Sequence, residues 1–254
     1  MELKVALCQT AMEWENPQVN LRRIERMLVG VDADLVVLPE MFATGFVTDP
    51  ARVAQPMSGG IVSWMRERAQ DAGCALAGSL VVEEGGRYFN RLLFAMPSGG
   101  LVCYDKRHLF SIGGEGEAFT PGASRTVVEY GGFLFLLLIC YDLRFPVWSR
   151  CRGDYDAILC VASWPESRRE AWRTLLRARA IENQAYVLGV NRTGSDPTAR
   201  YSGDSVAVGF MGETFAEADD AECVLQVALD RERLVRFRER FPAWRDADAF
   251  SLEG

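Results

Sequence analysis

The hydrophobic pattern is sharpest between Gly131 and Trp148. There a two-glycine turn opens an unbroken apolar run from Phe133 to Ile139, which stops at Cys140. A short run with no polar break predicts a strand buried on both faces. Leu35–Leu38 has the same character and delivers Pro39-Glu40 at its end, whereas Leu3–Gln9 alternates Leu3, Val5 and Leu7 with Lys4, Ala6 and Cys8, the period of a first strand. Between them, Asn16-Pro17 supplies an N-cap and a first-turn proline for a helix carrying Leu21, Ile24, Leu28 and Val31 on one side and Gly30 near its end. A second helix is predicted over 59–73 with Ile61, Met65, Ala69 and Ala72 inward, followed by a strand over 75–82.

Glu84-Gly-Gly-Arg87 and Pro97-Ser-Gly-Gly100 read as turns on either side of a return strand over 88–96, which makes an antiparallel meander. The meander continues over 101–109, where a strand period of two puts Lys106 and His108 on one face. A glycine-rich acidic loop over 111–122 carries Glu115 and Glu117, and 125–130 leads into the apolar run. Beyond Cys140 the pattern predicts a short helix over 146–152, a strand over 157–163, and a long helix over 168–184 with Trp172, Leu175, Leu176 and Ile181 inward. Strands over 186–191, 205–210 and 222–230 follow, with a loop over 192–203 and a turn over 211–213 between them. A charged helix over 231–240 and an extended tail from Pro242 complete the chain. No repeat or linker interrupts the series, so one domain is expected over 1–254, with 242–254 as its tail. It mixes hairpins with β-α-β crossovers, an α/β fold of sheets covered by helices.

Composition narrows the partners. With 254 residues, 49% of them hydrophobic, the chain can build a sizeable core. A net charge of −7 disfavours nucleic acid, which is bound through basic patches. No apolar run approaches the roughly 20 residues of a membrane span, and Met1-Glu-Leu-Lys lacks the basic and apolar regions of a signal peptide, so a cytoplasmic protein is expected. Seven cysteines form no C-x-x-C pair, and His108 is the single histidine, so neither a disulfide framework nor a metal site is expected.

Three residues remain as candidates for chemistry: Glu40 and Cys140, which end buried strands, and Lys106 in the meander. Taken singly each has an ordinary structural role open to it, as a loop carboxylate, a buried thiol and a solvated lysine. Their contexts, however, are Leu-Pro-Glu40-Met-Phe, Tyr-Asp-Lys106-Arg-His-Leu and Ile-Cys140-Tyr-Asp-Leu-Arg-Phe-Pro, in that order, with Phe119-Thr-Pro-Gly122 between the last two. This set resembles the nitrilase, or carbon-nitrogen hydrolase, superfamily. Further segments, among them Ala162-Ser-Trp-Pro165, Arg179-Ala-Ile-Glu-Asn-Gln-Ala-Tyr186 and Asn191-Arg-Thr-Gly-Ser-Asp196, are similar to its ω-amidase branch, which hydrolyses the terminal amide of α-keto acids such as 2-oxoglutaramate. Pro197 stands where that branch commonly has glycine.

The resemblance implies a four-layer α-β-β-α sandwich that pairs into a homodimer and a reaction without cofactor. It also implies roles. Cys140 is the nucleophile, Glu40 the proton carrier, Lys106 and the Tyr141 backbone N–H the oxyanion stabilisers, and Glu115 the glutamate supporting the lysine, with Glu117 as its fallback. A Cys140–His108 pair competes with this assignment, although His108 is read first as structural. A small amide carrying a carboxylate calls for arginine, so Arg144, Arg168, Arg169 and Arg192 are candidates, with Phe42, Phe46 and Trp164 as pocket walls. Siblings acting on deaminated glutathione or an N-carbamoyl compound share every catalytic residue, and an ammonia-supplying module is a third reading.

Overall fold

The computed structural model describes residues 2–252. The chain runs through β1 (Glu2–Gln9), α1 (Pro17–Met27), β2 (Leu35–Val37), α2 (Gly60–Ala72), β3 (Ala75–Glu84), β4 (Arg87–Ala95), β5 (Leu101–Asp105), α3 (Glu115–Ala118), β6 (Val127–Tyr130) and β7 (Phe133–Ile139). It continues with α4 (Pro146–Ser149), β8 (Ala157–Ala162), α5 (Arg169–Asn183), β9 (Tyr186–Asn191), β10 (Thr193–Ser195), β11 (Arg200–Ser202), β12 (Val206–Val208), β13 (Thr214–Glu217), β14 (Cys223–Asp230) and α6 (Arg231–Arg240). Two six-stranded sheets result, ordered β14-β1-β2-β3-β4-β5 and β13-β12-β9-β8-β7-β6, with β10 and β11 as a separate hairpin.

Alternation along β1 shows why the sheets stack. Leu3, Val5 and Leu7 join the large core with the strands of the second sheet, while Ala6 and Cys8 pack with α1 and α2 on the outer side. β7 has no polar face because it is covered twice, by the first sheet within and by Trp172, Leu176 and Ala180 of α5 without. Two sheets flanked by helices are therefore the direct outcome of the binary pattern, as the sequence led one to expect.

Local readings needed correction where polar side chains replaced apolar ones. On α2, Met65 and Ala69 are buried as expected, but Val62 is buried as well and Ala72 is exposed. On α5, Ile181 is 51% exposed, and Arg179 and Asn183 are buried instead. They bind loop backbone there, Arg179 donating to the Leu143 carbonyl at 2.7 Å and the Asn183 amide oxygen accepting from the Cys151 N–H at 2.8 Å. Such bonds satisfy buried polar groups that periodicity alone assigns to solvent. The expected loop over 192–203 contains the β10–β11 hairpin, closed by Asp196, whose Oδ1 accepts from the N–H groups of Thr198 and Ala199. β13 and α3 were not expected at all. β5 stops at Asp105, so the predicted alternation does not extend to Leu109. The Lys106 N–H still bonds to the Asn90 carbonyl at 2.9 Å, but the next amides go to side chains, Arg107 to the Tyr104 hydroxyl and His108 to Asp142.

Candidate active site

Cys140 follows directly on β7 and opens a 3₁₀ turn over Cys140–Arg144, with φ of 47°, a left-handed backbone that is uncommon outside glycine. Asp142 pins this turn. Its fully buried carboxylate accepts from the Ile139 N–H at 3.0 Å and the Tyr104 hydroxyl at 2.7 Å through one oxygen, and from the His108 N–H at 2.9 Å through the other. Tyr141, the next residue, lies in the first turn of this 3₁₀ segment, where backbone N–H groups ordinarily lack an intrahelical partner.

Glu40 arrives from the end of β2, on the loop before Met41, which also has positive φ. Its Oε1 accepts from Lys106 Nζ at 2.9 Å and Asn90 Nδ2 at 2.8 Å, and its Oε2 from the Ser163 N–H at 2.8 Å, after β8. Glu115 enters on α3 and takes Lys106 Nζ at 2.8 and 3.1 Å, with the Phe110 N–H at 2.7 Å. Lys106, Glu40 and Glu115 have no side-chain exposure. A buried ammonium is tolerated only with such partners.

The electrostatics follow from this enclosure. Burial by itself would lower the Lys106 pKa, but Glu115, Glu40 and Cys140 outweigh it and hold the ammonium well above its ordinary value. Burial pushes the Cys140 thiol well up and Glu40 adds to that, while Lys106 pulls the other way. The resting thiol is therefore protonated, with the Glu40 carboxyl hydrogen-bonded beside it.

Above these groups lies a cavity of about 320 Å³. Seven of the sequence-derived candidates border it, Lys106, Cys140, Tyr141, Phe46, Trp164, Arg144 and Arg168. Arg144 lies over the Trp164 ring at 4.8 Å and Arg168 over Phe110 at 5.0 Å, and neither guanidinium has a carboxylate partner among the described residues. Stacking fixes the planes and leaves the N–H edges free.

Other candidates lie elsewhere. Arg192 is fully buried, donates to the carbonyls of Met12, Thr193 and Ser195, and is stacked on Tyr201. Arg169 is held by Asp204 at 2.7 Å, and Phe42 packs in the outer core against Trp64. Glu117 is exposed. His108 is engaged through Nδ1 with Asp142 at 2.8 Å and lies flat on Phe145, 3.9 Å between ring centres, so it is a part of the turn's support. Sequence reasoning gave no role to Asn90, Asp142 or Tyr104. Asn90 carried a signal, a polar residue in register with inward-facing Leu92 and Phe94 on β4. Trp14, Phe110 and Tyr201 also wall the cavity and had none.

A buried thiol, carboxylate and ammonium converging at a cavity between two helix-flanked sheets define a class of amide-cleaving hydrolase. The carbon-nitrogen hydrolase family matches residues 4–239, and the chain belongs to that family. It is 44% identical to the omega-amidase YafV of Escherichia coli K12 over 98% of each chain, and 30% identical to the 2-oxoglutaramate amidase of Bacillus subtilis over 97% of this chain and 98% of that one. XC1258 of Xanthomonas campestris, a CN-hydrolase superfamily protein with an arsenic adduct in its active site, superposes with a TM-score of 0.97 at 40% identity and full coverage of both chains. The protein is thus a hydrolase acting on C–N amide bonds. Among the described residues no helix is long and apolar enough to cross a membrane.

Proposed function

We propose that this enzyme hydrolyses the terminal amide of small α-keto acid monoamides, 2-oxoglutaramate and 2-oxosuccinamate, through a Cys140 thioester. The observation that carries the reading is the pair of unpartnered guanidiniums, Arg144 and Arg168, on the same cavity as the thiol. Two cations in one small pocket repel each other and call for an anionic substrate. The carboxylate and the adjacent keto oxygen of an α-keto acid offer them acceptors in one plane. The names of the E. coli and B. subtilis relatives point the same way.

In this mechanism Sγ of Cys140 attacks the amide carbon as the thiol proton passes to Glu40. The oxyanion forms between Lys106 Nζ and the Tyr141 N–H. Glu40 returns the proton to nitrogen, ammonia leaves, and the acyl group stays on sulfur as a thioester. Glu40 then takes a proton from water, whose oxygen attacks the thioester, and the thiolate recovers that proton as the dicarboxylate leaves. Glu115 keeps Lys106 charged throughout. We place the enzyme in the cytoplasm as a homodimer, a pairing for which exposed Ile181 and Met211 supply apolar surface.

Ammonia release from a panel of 2-oxoglutaramate, 2-oxosuccinamate, glutamine and deaminated glutathione tests the substrate. The keto acid amides should lead, and Arg144→Gln or Arg168→Gln should raise their KM about tenfold or more. A clear lead for glutamine or deaminated glutathione would refute the keto acid reading.

A further inference from the structure

We propose that Asn90 is a positioning residue for the base: its side-chain amide closes a ring of hydrogen bonds that fixes Glu40 beneath the thiol. The ring alternates two donors with two acceptors. Lys106 Nζ donates to Glu40 Oε1 at 2.9 Å and to Glu115 Oε1 at 3.1 Å, and Asn90 Nδ2 donates to the same two oxygens at 2.8 and 3.1 Å. The Asn90 backbone carbonyl also accepts from the Lys106 N–H at 2.9 Å. One residue of β4 therefore touches both glutamates and anchors the lysine. Its own amide oxygen is buried without a partner, a cost to stability that is understandable only if the nitrogen is needed where it lies. Turning the amide over would aim that oxygen at two carboxylates, so chemistry fixes its orientation.

The ring accounts for how Glu40 can be a base without being loose. Its Oε1 is spent on Lys106 and Asn90 and its Oε2 is anchored by the Ser163 N–H, so the carboxylate cannot rotate away from the thiol. The titratable groups that act on Glu40 are Lys106 beyond β5, Glu115 on α3, Cys140 after β7, Cys160 on β8 and Tyr201 on β11. Of the donors to Glu40, Asn90 supplies its hydrogen bond without bringing a charge. Like the Ser163 N–H, it holds the carboxylate in place without adding a second cation beside the thiol.

This inference rests on the reading of Glu40 as the base, and the test separates the two. The probe is 2-oxoglutaramate, with ammonia release followed from pH 4.5 to 9 in the full-length wild-type, Glu40→Gln, Asn90→Leu and Asn90→Asp enzymes. Glu40→Gln should be inactive at every pH. Asn90→Leu should lose about tenfold to a hundredfold in kcat with KM nearly unchanged, because Asn90 does not border the cavity. Asn90→Asp differs by a single atom and should fold, yet be active only at the acid end, where the new carboxyl keeps its proton. A Glu40→Gln enzyme that still turns over would overturn the base assignment itself. An inactive Glu40→Gln with kcat unchanged in Asn90→Leu and activity retained at neutral pH in Asn90→Asp overturns the role of Asn90 alone.

Discussion

Replacing Lys106 by methionine removes one charge from a fully buried cluster while nearly conserving side-chain volume. Glu40 and Glu115, 2.9 and 2.8 Å from the ammonium and without exposure, are left facing each other around Asn90. Two carboxylates cannot both stay ionised there, so one takes up a proton. From an unfolded-state glutamate pKa of about 4.3, binding that proton costs about 1.36 kcal/mol per pH unit, hence about 3.7 kcal/mol at pH 7 and about 1 kcal/mol at pH 5. The first figure lies within the roughly 3–5 kcal/mol expected for breaking a buried ion pair. In the variant the folded carboxyl has a raised pKa. Its stability is therefore greatest below the unfolded value and falls as pH rises. In the wild type, Lys106 is held well above its ordinary pKa, so its contribution is fully present across this range and declines only at strongly alkaline pH. Urea unfolding of both proteins at pH 5, 6 and 7 should show a gap that widens by about 2.7 kcal/mol from pH 5 to 7. At pH 7 the melting temperature should fall by roughly 10 °C. A gap of the same size at every pH would refute the reasoning, because it would mean that lost packing and not stranded charge destabilises the variant.

Cys140→Ala should abolish ammonia release while keeping the fold, and substantial residual turnover would remove Cys140 from the mechanism. Because position 140 has φ of 47°, Cys140→Gly should be about 1 kcal/mol more stable than Cys140→Ala in urea unfolding; an equal or lower stability would show the turn to be unstrained. The Tyr104 hydroxyl donates to Asp142 and accepts from Trp148 Nε1 at 3.1 Å, so Tyr104→Phe should cost about 2 kcal/mol by leaving a buried indole N–H unpaired and should lower kcat through a loosened turn. Unchanged stability and kcat would show that Asp142 holds the turn without it.

How much of this was legible in the chain is clear from β7 and its neighbours. Phe133–Ile139 announced itself as a doubly buried strand, and Leu35–Val37 likewise, because runs this apolar are stable only between two layers. The polar residues at their ends, Cys140 and Glu40, were legible for the same reason: a thiol and a carboxylate that each sit just past a buried strand mark a site of chemistry once Lys106 appears in a matching context. Glu115 was legible only through the resemblance, since spacing alone left Glu117 open; it is Glu115 that lies buried on a four-residue helix, paired with Lys106.

What the chain could not state was which side chains meet across sheets. Arg144 and Arg192 each follow a buried strand, yet one is stacked over Trp164 at the cavity and the other is spent on buried carbonyls. Asn90 and Glu115 are 25 residues apart and Glu40 and Ser163 123 apart, so their contacts exist only once β4, β2 and β8 are stacked. Local pattern determined most of the strands and helices and set Cys140 and Glu40 at strand ends, because burial periodicity and strand ends are local properties. The hydrogen-bond ring around Lys106, the pinning of the Cys140 turn by Asp142 and the choice of arginines were decided by tertiary structure, because each depends on distances between segments remote in sequence.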